Sequence, residues 1–115
     1  MIMKIIKKNQ VEKVKNSHTC MVMEYPLRDT EINGAIAEIL GRYPHEGWIM
    51  NMICKELVYV LSGKVDLAVL GKKVKLEEGD EAIIMPKEKF YWEGRCKLFI
   101  ACTPAWCSSQ YKEEV

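Results

Sequence analysis

The sequence predicts an all-β protein that consists of a single domain. Its 115 residues are close to the usual size of one domain, and 49% of them are apolar, which is enough for one sizeable core. Short runs of β-branched and aromatic residues are separated by turn signals, with no long helical stretch between them. In the last long run, a two-residue period places one apolar set of side chains on one face and Arg95 and Lys97 on the other; the apolar set is Cys96, Leu98, Ile100 and Cys102. An antiparallel barrel or sandwich follows from this pattern.

The first third of the chain contains the least regular elements. Residues 2–6 and 11–15 alternate loosely and are predicted as short edge strands. Residues 20–25 are predicted as a strand that ends at Pro26, which cannot donate a ladder hydrogen bond. Residues 32–43 fit two structures, because their isoleucines have helical spacing while the stretch could also form a strand.

The central part of the chain consists of predicted strands joined by tight turns. Glycine or proline marks the boundaries, with turns predicted at Ser62-Gly63 and Glu93-Gly94 and a two-residue hairpin loop at Gly71-Lys72. The lysine-rich run 72–75 suits a solvated edge strand, since lysine discourages unwanted strand pairing. The predicted strands are 48–54 continuing into 56–61, 64–70, 74–76, 82–85, 90–92 and 95–103.

Composition excludes several classes of function. The net charge is +1, without the basic excess that is typical of nucleic-acid-binding domains. The longest apolar runs, such as residues 57–61, are too short to span a bilayer, and the N-terminus does not resemble a signal peptide. Five cysteines without a CxxC pair fit a reduced protein. We therefore expect a cytoplasmic protein that binds neither nucleic acid nor membrane.

Two spacings carry a resemblance to a known family. Glu56 is followed by six residues and Gly63, and Gly79 is followed by five residues and then Met85-Pro86. This pattern, on strands joined by tight turns, resembles the two signature motifs of the cupin superfamily over about residues 33–107. The resemblance implies a double-stranded β-helix (jelly-roll) barrel, and within residues 32–43 it favours a strand over residues 34–40. The single domain 1–115 would then comprise N-terminal edge strands (1–25), a cupin core (33–107) and a polar tail (108–115).

The usual cupin metal ligands are mostly missing from this sequence. In cupins the first motif carries two histidines before the glutamate, and the second motif carries another, which Phe90 replaces here. Glu56 alone is retained, and one carboxylate without imidazoles cannot hold iron, manganese or zinc tightly. The resemblance therefore implies a metal-independent protein without a cofactor. The two histidine positions of the first motif fall on Met50 and Met52 or, with the other spacing, on Ile49 and Asn51.

Glu56 is the candidate residue for chemistry. The two-residue period of a strand places it inside the barrel, together with Cys54 and Met52. An interior carboxylate is costly unless it is hydrogen-bonded or its pKa rises, so Glu56 has either a structural hydrogen bond, for example to Asn51, or a role in binding or catalysis. The predicted barrel lining consists of Glu56, Cys54, Met52, Asn51, Phe90, Trp92 and Cys102.

Other residues have weaker claims to a function. The inward cysteines and methionines could form a soft-metal or reactive-thiol site, although such side chains are ordinary core fillers. His18 and His45 lie in predicted loops. Phe90, Tyr91, Trp92 and Trp106 could line a pocket or cover an interface. Leu57, Tyr59 and Leu61 alternate away from Glu56 and need a second layer, so a homodimer is expected.

Three functions are compatible with these residues. The leading hypothesis is a small-molecule-binding barrel in a sensing or accessory role. The second is an isomerase- or lyase-type enzyme in which Glu56 is the general acid/base. The third is an interaction module that acts as a homodimer.

Overall fold

The computed structural model describes residues 3–115 and is built almost wholly from antiparallel strands. Within these residues, helical structure is limited to the single 3₁₀ turns Lys8–Gln10 and Ser108–Gln110, and no helix is long or apolar enough to cross a membrane. The all-β prediction is confirmed. The strands are β1 (Glu12–Ser17), β2 (Cys20–Glu24), β3 (Asn33–Tyr43), β4 (Trp48–Asn51), β5 (Lys55–Val69), β6 (Lys72–Glu77), β7 (Glu81–Ile84), β8 (Phe90–Thr103) and β9 (Tyr111–Glu114).

Strand β8 forms the centre of the sheet. It pairs with β3 along one edge and with β5 along the other, and Phe90 at its start also pairs with Ile49 of β4. Strands β1 and β2 extend the sheet beyond β3, whereas β6 and β7 both pair with β5, and β9 pairs with β4. The sheet curls so that its two parts face each other across a common interior. The result is the jelly-roll β-barrel that the sequence motifs imply.

A bulge in β5 shapes the core. Its pairing with β8 shifts register between Val60 and Ser62, and the inward-facing positions change phase there. Val60 is fully buried before the bulge, and the odd-numbered residues Val65 and Leu67 are buried after it. Strand β5 thus contributes buried side chains on both sides of the bulge, although the alternation of buried and exposed residues changes phase there.

Three predicted turns are wrong. Ser62-Gly63 is not a turn, because β5 runs through the bulge, and Glu93-Gly94 lies inside β8. Glycine is present at these positions because the backbone has a positive φ and the neighbouring strand approaches closely, not because the chain reverses. The hairpin loop comprises Leu70 and Gly71, one residue earlier than predicted, and both have the positive φ typical of a type I′ turn.

The ends of the chain also differ from prediction, whereas residues 33–43 form the predicted strand β3. No strand is present over residues 3–7, and the remainder of the predicted first strand lies outside the described residues. The predicted polar tail contains β9, which pairs with β4 from Trp48–Glu114 to Asn51–Tyr111. The strand escaped prediction because only Tyr111 in it is apolar, and its stability comes from pairing with a distant segment.

Candidate functional site

A cavity of about 100 Å³ lies inside the barrel and is partly open to solvent. Strands β2, β3, β4, β5 and β8 form most of its wall, and the C-terminal segment (residues 104–115) contributes Trp106 and Tyr111. Aliphatic and aromatic side chains make up much of the surface. Its polar and sulfur-bearing residues are Asn16, Cys20, Asn33, Tyr43, Asn51, Glu56, Cys102 and Tyr111.

Within the described part of the chain, the cavity lining has one carboxyl group and no cationic side chain. Among the described residues, neither lysine nor arginine nor histidine belongs to its lining, and Glu56 is the only acidic residue there. An anionic ligand would lose its hydration without gaining a countercharge. The cavity therefore disfavours an anionic ligand.

Glu56 lies near the start of β5, paired with Cys102 of β8 on one side and with Ile84 of β7 on the other. Its Oε2 atom accepts a hydrogen bond of 2.9 Å from Nδ2 of Asn51. Burial raises the pKa of Glu56 to about 7, and the Asn51 hydrogen bond opposes part of that rise by stabilising the carboxylate. The side chain keeps some accessible surface because it faces the cavity.

The structure brings five of the seven predicted lining residues to the cavity and excludes two. Met52 and Cys54 do not line it, so their predicted placement is wrong. Strand β4 ends at Asn51, and the bend that follows shifts the inward phase from odd to even positions before β5 begins. Alternation counted backwards from Glu56 therefore selects the wrong residues. The five predicted residues that do line the cavity are Asn51, Glu56, Phe90, Trp92 and Cys102.

The same bend decides between the two spacings of the first motif. Ile49 and Asn51 face the cavity, whereas Met50 and Met52 do not. Cys54 is only 1% exposed and its backbone N–H points towards Oε1 of Gln110, at an N–O distance of 3.4 Å. It is part of the packing behind the site.

Two tyrosines that the sequence did not single out form a hydroxyl pair at the cavity wall. The Tyr43 and Tyr111 hydroxyl oxygens lie 2.6 Å apart, and Tyr111 donates to Glu113 over 3.2 Å. Burial raises the pKa of Tyr43 to about 12 and also raises that of Tyr111, so both phenols are neutral at neutral pH. The position of Tyr43 at the end of a predicted strand was the one sequence feature that could have indicated its role. Tyr111 had no such feature, because it is a lone aromatic residue in a predicted polar tail.

The thiols at the cavity are unreactive. Burial raises the pKa of Cys20 to about 11 and raises that of Cys102 as well, with the nearby Glu56 carboxylate adding to both. Since the thiolate is the nucleophile, these raised pKa values disfavour nucleophilic reactions of the two thiols at neutral pH.

The side chains at the cupin ligand positions do not fit a metal. Ile49 and Phe90 carry no donor atom, and Oδ1 of Asn51 already accepts two hydrogen bonds, from Trp106 and Gln110. In the part of the chain that the structure describes, no three His, Cys, Asp or Glu residues form a group that could hold a metal ion. His18 and His45 are exposed in loops and do not line the cavity.

Comparisons with known proteins agree with this architecture. A family model described as an EutQ-like cupin domain matches residues 47–99. No curated protein sequence is significantly similar to the chain. Among solved structures, a variant of Streptomyces Pac13 with uridine has a TM-score of 0.88 at 16% identity, covering 99% of this chain and 92% of that one. Pac13 is described as a nucleoside dehydratase.

Two further structures share the fold. KdgF from a Halomonas species has a TM-score of 0.72 at 10% identity and covers 94% of this chain and 98% of its own. An RmlC-like cupin from Shewanella frigidimarina has a TM-score of 0.71 at 16% identity, with coverages of 87% and 89%. The barrel, its motif spacing and these matches show together that the chain has the cupin fold.

Proposed function

We propose that the barrel is a metal-independent enzyme of the lyase or isomerase type, which binds a small neutral molecule in the cavity and uses Glu56 for proton transfer. The observation that carries the proposal is a single carboxyl group, with a pKa raised to about 7, inside a cavity to which residues 3–115 bring no other charge. A group with this pKa is present in both protonation states near neutral pH, as general acid/base catalysis requires.

One carboxyl group suffices for an elimination of water. The Glu56 carboxylate removes a proton from a carbon next to a carbonyl group, and the electron pair of that C–H bond forms the carbon–carbon double bond. The proton then passes from Glu56 to the departing hydroxyl group as the C–O bond breaks. Water and the unsaturated product leave, and the carboxylate is regenerated. If the proton returns to a different carbon instead, the same residue performs an isomerisation.

The described activity of Pac13 supports the elimination. Pac13 shares the whole barrel with this chain and is described as a nucleoside dehydratase whose variants were solved with uridine. A nucleoside is neutral, which suits a cavity lined by Phe90, Trp92 and Trp106 and by no cationic side chain. Uridine is therefore our first probe, and quenching of the emission of Trp92 and Trp106 would report its binding.

Proton transfer can be tested without knowledge of the full reaction. Neutral β-hydroxy carbonyl compounds are incubated with the protein in D₂O, and proton NMR follows the exchange of carbon-bound hydrogen and the loss of water, while uridine serves as a probe of binding alone. We expect Glu56→Gln to reduce the rate at least 100-fold, the lower range for the loss of a general acid/base. Glu81→Gln, which alters an exposed carboxylate on neighbouring β7, should retain the rate.

Treatment with a chelator should leave the exchange rate unchanged, because Ile49, Asn51 and Phe90 at the cupin ligand positions offer no free donor beside Glu56. Equal rates for Glu56→Gln and the unmodified protein would refute the catalytic role. Loss of activity on chelation would refute its metal independence.

A second proposal concerns the outer surface of the barrel, where the protein pairs with another copy of itself. Leu57 and Tyr59 are each 39% exposed, and their strand partners Ile83 and Phe99 are 55% and 41% exposed. Paired residues on adjacent strands point to the same side of a sheet, so these four residues form one outer apolar patch. Such a patch marks an interaction surface, and a second copy would cover it with an identical patch.

Dimerisation through the outer apolar patch predicts a change of mass in solution. Tyr59→Lys should convert the dimer to a monomer in light scattering, because two buried ammonium groups would lose their hydration at the interface. The control Val74→Lys changes an apolar residue that is 51% exposed on β6, outside the patch. A monomeric unmodified protein, or an unchanged Tyr59→Lys dimer, would exclude this interface.

A further inference from the structure

We infer that Trp106 and Gln110 are positioning residues, which orient the Asn51 amide so that protonated Glu56 carries its proton on the oxygen that faces the cavity. The inference deepens the proposed function and rests on Glu56 being the proton-transfer group. It concerns residues in the C-terminal segment, which the cupin motifs do not include.

The orientation begins at two backbone groups whose polarity is fixed. The N–H groups of Ile53 and Cys54 point at Oε1 of Gln110, at N–O distances of 3.0 and 3.4 Å. A backbone N–H can only donate, so this end of the Gln110 side chain must be its oxygen. The Nε2 end is therefore the donor, and it lies 3.0 Å from Oδ1 of Asn51.

A second, independent donor fixes the same oxygen. The indole Nε1 of Trp106, which also can only donate, lies 3.1 Å from Oδ1 of Asn51. Rotating the Asn51 amide by half a turn would bring its NH₂ group against two donors. The NH₂ group must therefore face Glu56, where Nδ2 donates to Oε2 over 2.9 Å.

The two oxygens of Glu56 are consequently unequal. A proton on Oε2 would point at the Asn51 donor, so a neutral Glu56 carries its proton on Oε1. Oε1 makes no hydrogen bond to the described residues, and among those residues no fully buried side-chain polar atom lacks a partner. Oε1 therefore retains accessible surface, and that surface faces the cavity that Glu56 lines.

Among residues 3–115, no other charged group lines the cavity that Glu56 faces. The neighbouring titratable groups are the thiols of Cys20 on β2, Cys54 before β5 and Cys102 on β8, and the phenol of Tyr43 on β3. All of them are neutral near neutral pH, because burial raises each pKa. The hydrogen bond from Asn51 is therefore the contact that opposes the rise in the pKa of Glu56 caused by burial. The orientation of the Asn51 amide consequently affects the protonation of Glu56.

The test is a carbon-13 NMR titration of the Glu56 carboxyl carbon in the full chain. Trp106→Phe keeps the ring but removes the N–H, and Gln110→Met keeps similar length but removes the amide. When one fixed donor is lost, a single donor remains to oppose the turning of the Asn51 oxygen towards Glu56, so the turned amide, which favours protonated Glu56, becomes more populated. We expect the Glu56 midpoint to rise by about one pH unit in each variant, the equivalent of one hydrogen bond to a charged group.

The double variant should show a larger rise, and the acid limb of the pH–rate profile should move by the same amount. Trp48→Phe is the matched control, since Trp48 packs on Tyr91 away from the cavity and its loss should leave the midpoint unchanged. Amide NMR spectra verify that each variant is folded. If β9 is disrupted in Gln110→Met, the test rests on Trp106→Phe alone.

Each outcome separates the two proposals. An unchanged Glu56 midpoint in folded Trp106→Phe and Gln110→Met would overturn the positioning role, even if Glu56→Gln abolishes exchange. Shifted midpoints with an unaffected Glu56→Gln exchange rate would support the network and overturn the catalytic function.

Discussion

Glu56→Gln is expected to stabilise the protein above pH 7 by about 3 kcal/mol, while it removes the proposed activity. The pKa of Glu56 is about 7 in the folded protein against 4.5 for an ordinary glutamate, a difference that corresponds to about 3 kcal/mol. The folded state thus binds the proton more tightly than the unfolded state. Glutamine has the shape of the neutral acid and can still accept the Asn51 hydrogen bond.

The sign of the pH dependence follows from the same difference. Below pH 4.5 both states are protonated at Glu56, and this residue costs no stability. Between 4.5 and about 7 the unfolded state loses its proton first, so the free energy of unfolding falls as pH rises. Above about 7 the full cost is present, because the folded protein then contains a buried carboxylate.

Thermal unfolding between about pH 4 and 9 checks this prediction. The melting temperature of Glu56→Gln should exceed that of the unmodified protein by on the order of 10 °C at the alkaline end, and the two should converge at the acid end. Glu81→Gln, an exposed carboxylate on β7, should follow the unmodified protein throughout. Parallel curves for Glu56→Gln and the unmodified protein would show that Glu56 ionises normally.

Gly63→Ala is expected to cost at least 3 kcal/mol. Gly63 follows the bulge in β5 with a φ of +85°, and a Cβ there would overlap the carbonyl oxygen of Arg95 on β8. That oxygen is backbone in the central strand of the sheet, so relief requires β5 and β8 to separate. Backbone strain and steric overlap therefore add.

Gly71→Ala is the matched control. Gly71 has nearly the same φ, +79°, but no atom lies within 4 Å of its ideal Cβ position. Alanine there carries the strain of the left-handed conformation alone, about 1 kcal/mol. Urea unfolding of the two variants thus separates the cost of steric overlap from that of backbone strain. Similar losses of unfolding free energy in Gly63→Ala and Gly71→Ala would refute the close approach of β5 to β8.

The sequence predicted the fold well because the two motif spacings constrain long-range pairing. Glu56, Gly63, Gly79 and Phe90 lie on strands or turns of one barrel, and the all-β class required only local patterns. Strand β3 is the instructive case, since its isoleucine spacing also suited a helix. Its tertiary pairing with β8 outweighs local propensity.

The site was predicted less well, because single-residue irregularities change which side chains face inward. One bend after Asn51 excluded Met52 and Cys54, and the bulge after Val60 made the next strand segment resemble a separate element. Neither irregularity changes the residue pattern enough to be recognised before the pairing is known.

The C-terminal contributions were missed for a different reason. Trp106 was recognised only as an aromatic residue suited to a pocket or an interface, while Gln110 and Tyr111 carried no pattern at all. Their partners Asn51 and Tyr43 lie more than fifty residues away. A polar residue that matters through one distant hydrogen bond leaves no periodic signal.

The pairing of β9 with β4 alone has a consequence for the order of assembly during synthesis. Every other strand pair is available once Thr103 has emerged from the ribosome, since β1 to β8 are then complete. Residues 104–114 follow and bring Trp106, Gln110 and Tyr111 to a barrel whose other strands can already have paired. In a nascent chain, strands β1 to β8 can thus pair before Trp106 and Gln110 orient the Asn51 amide beside Glu56.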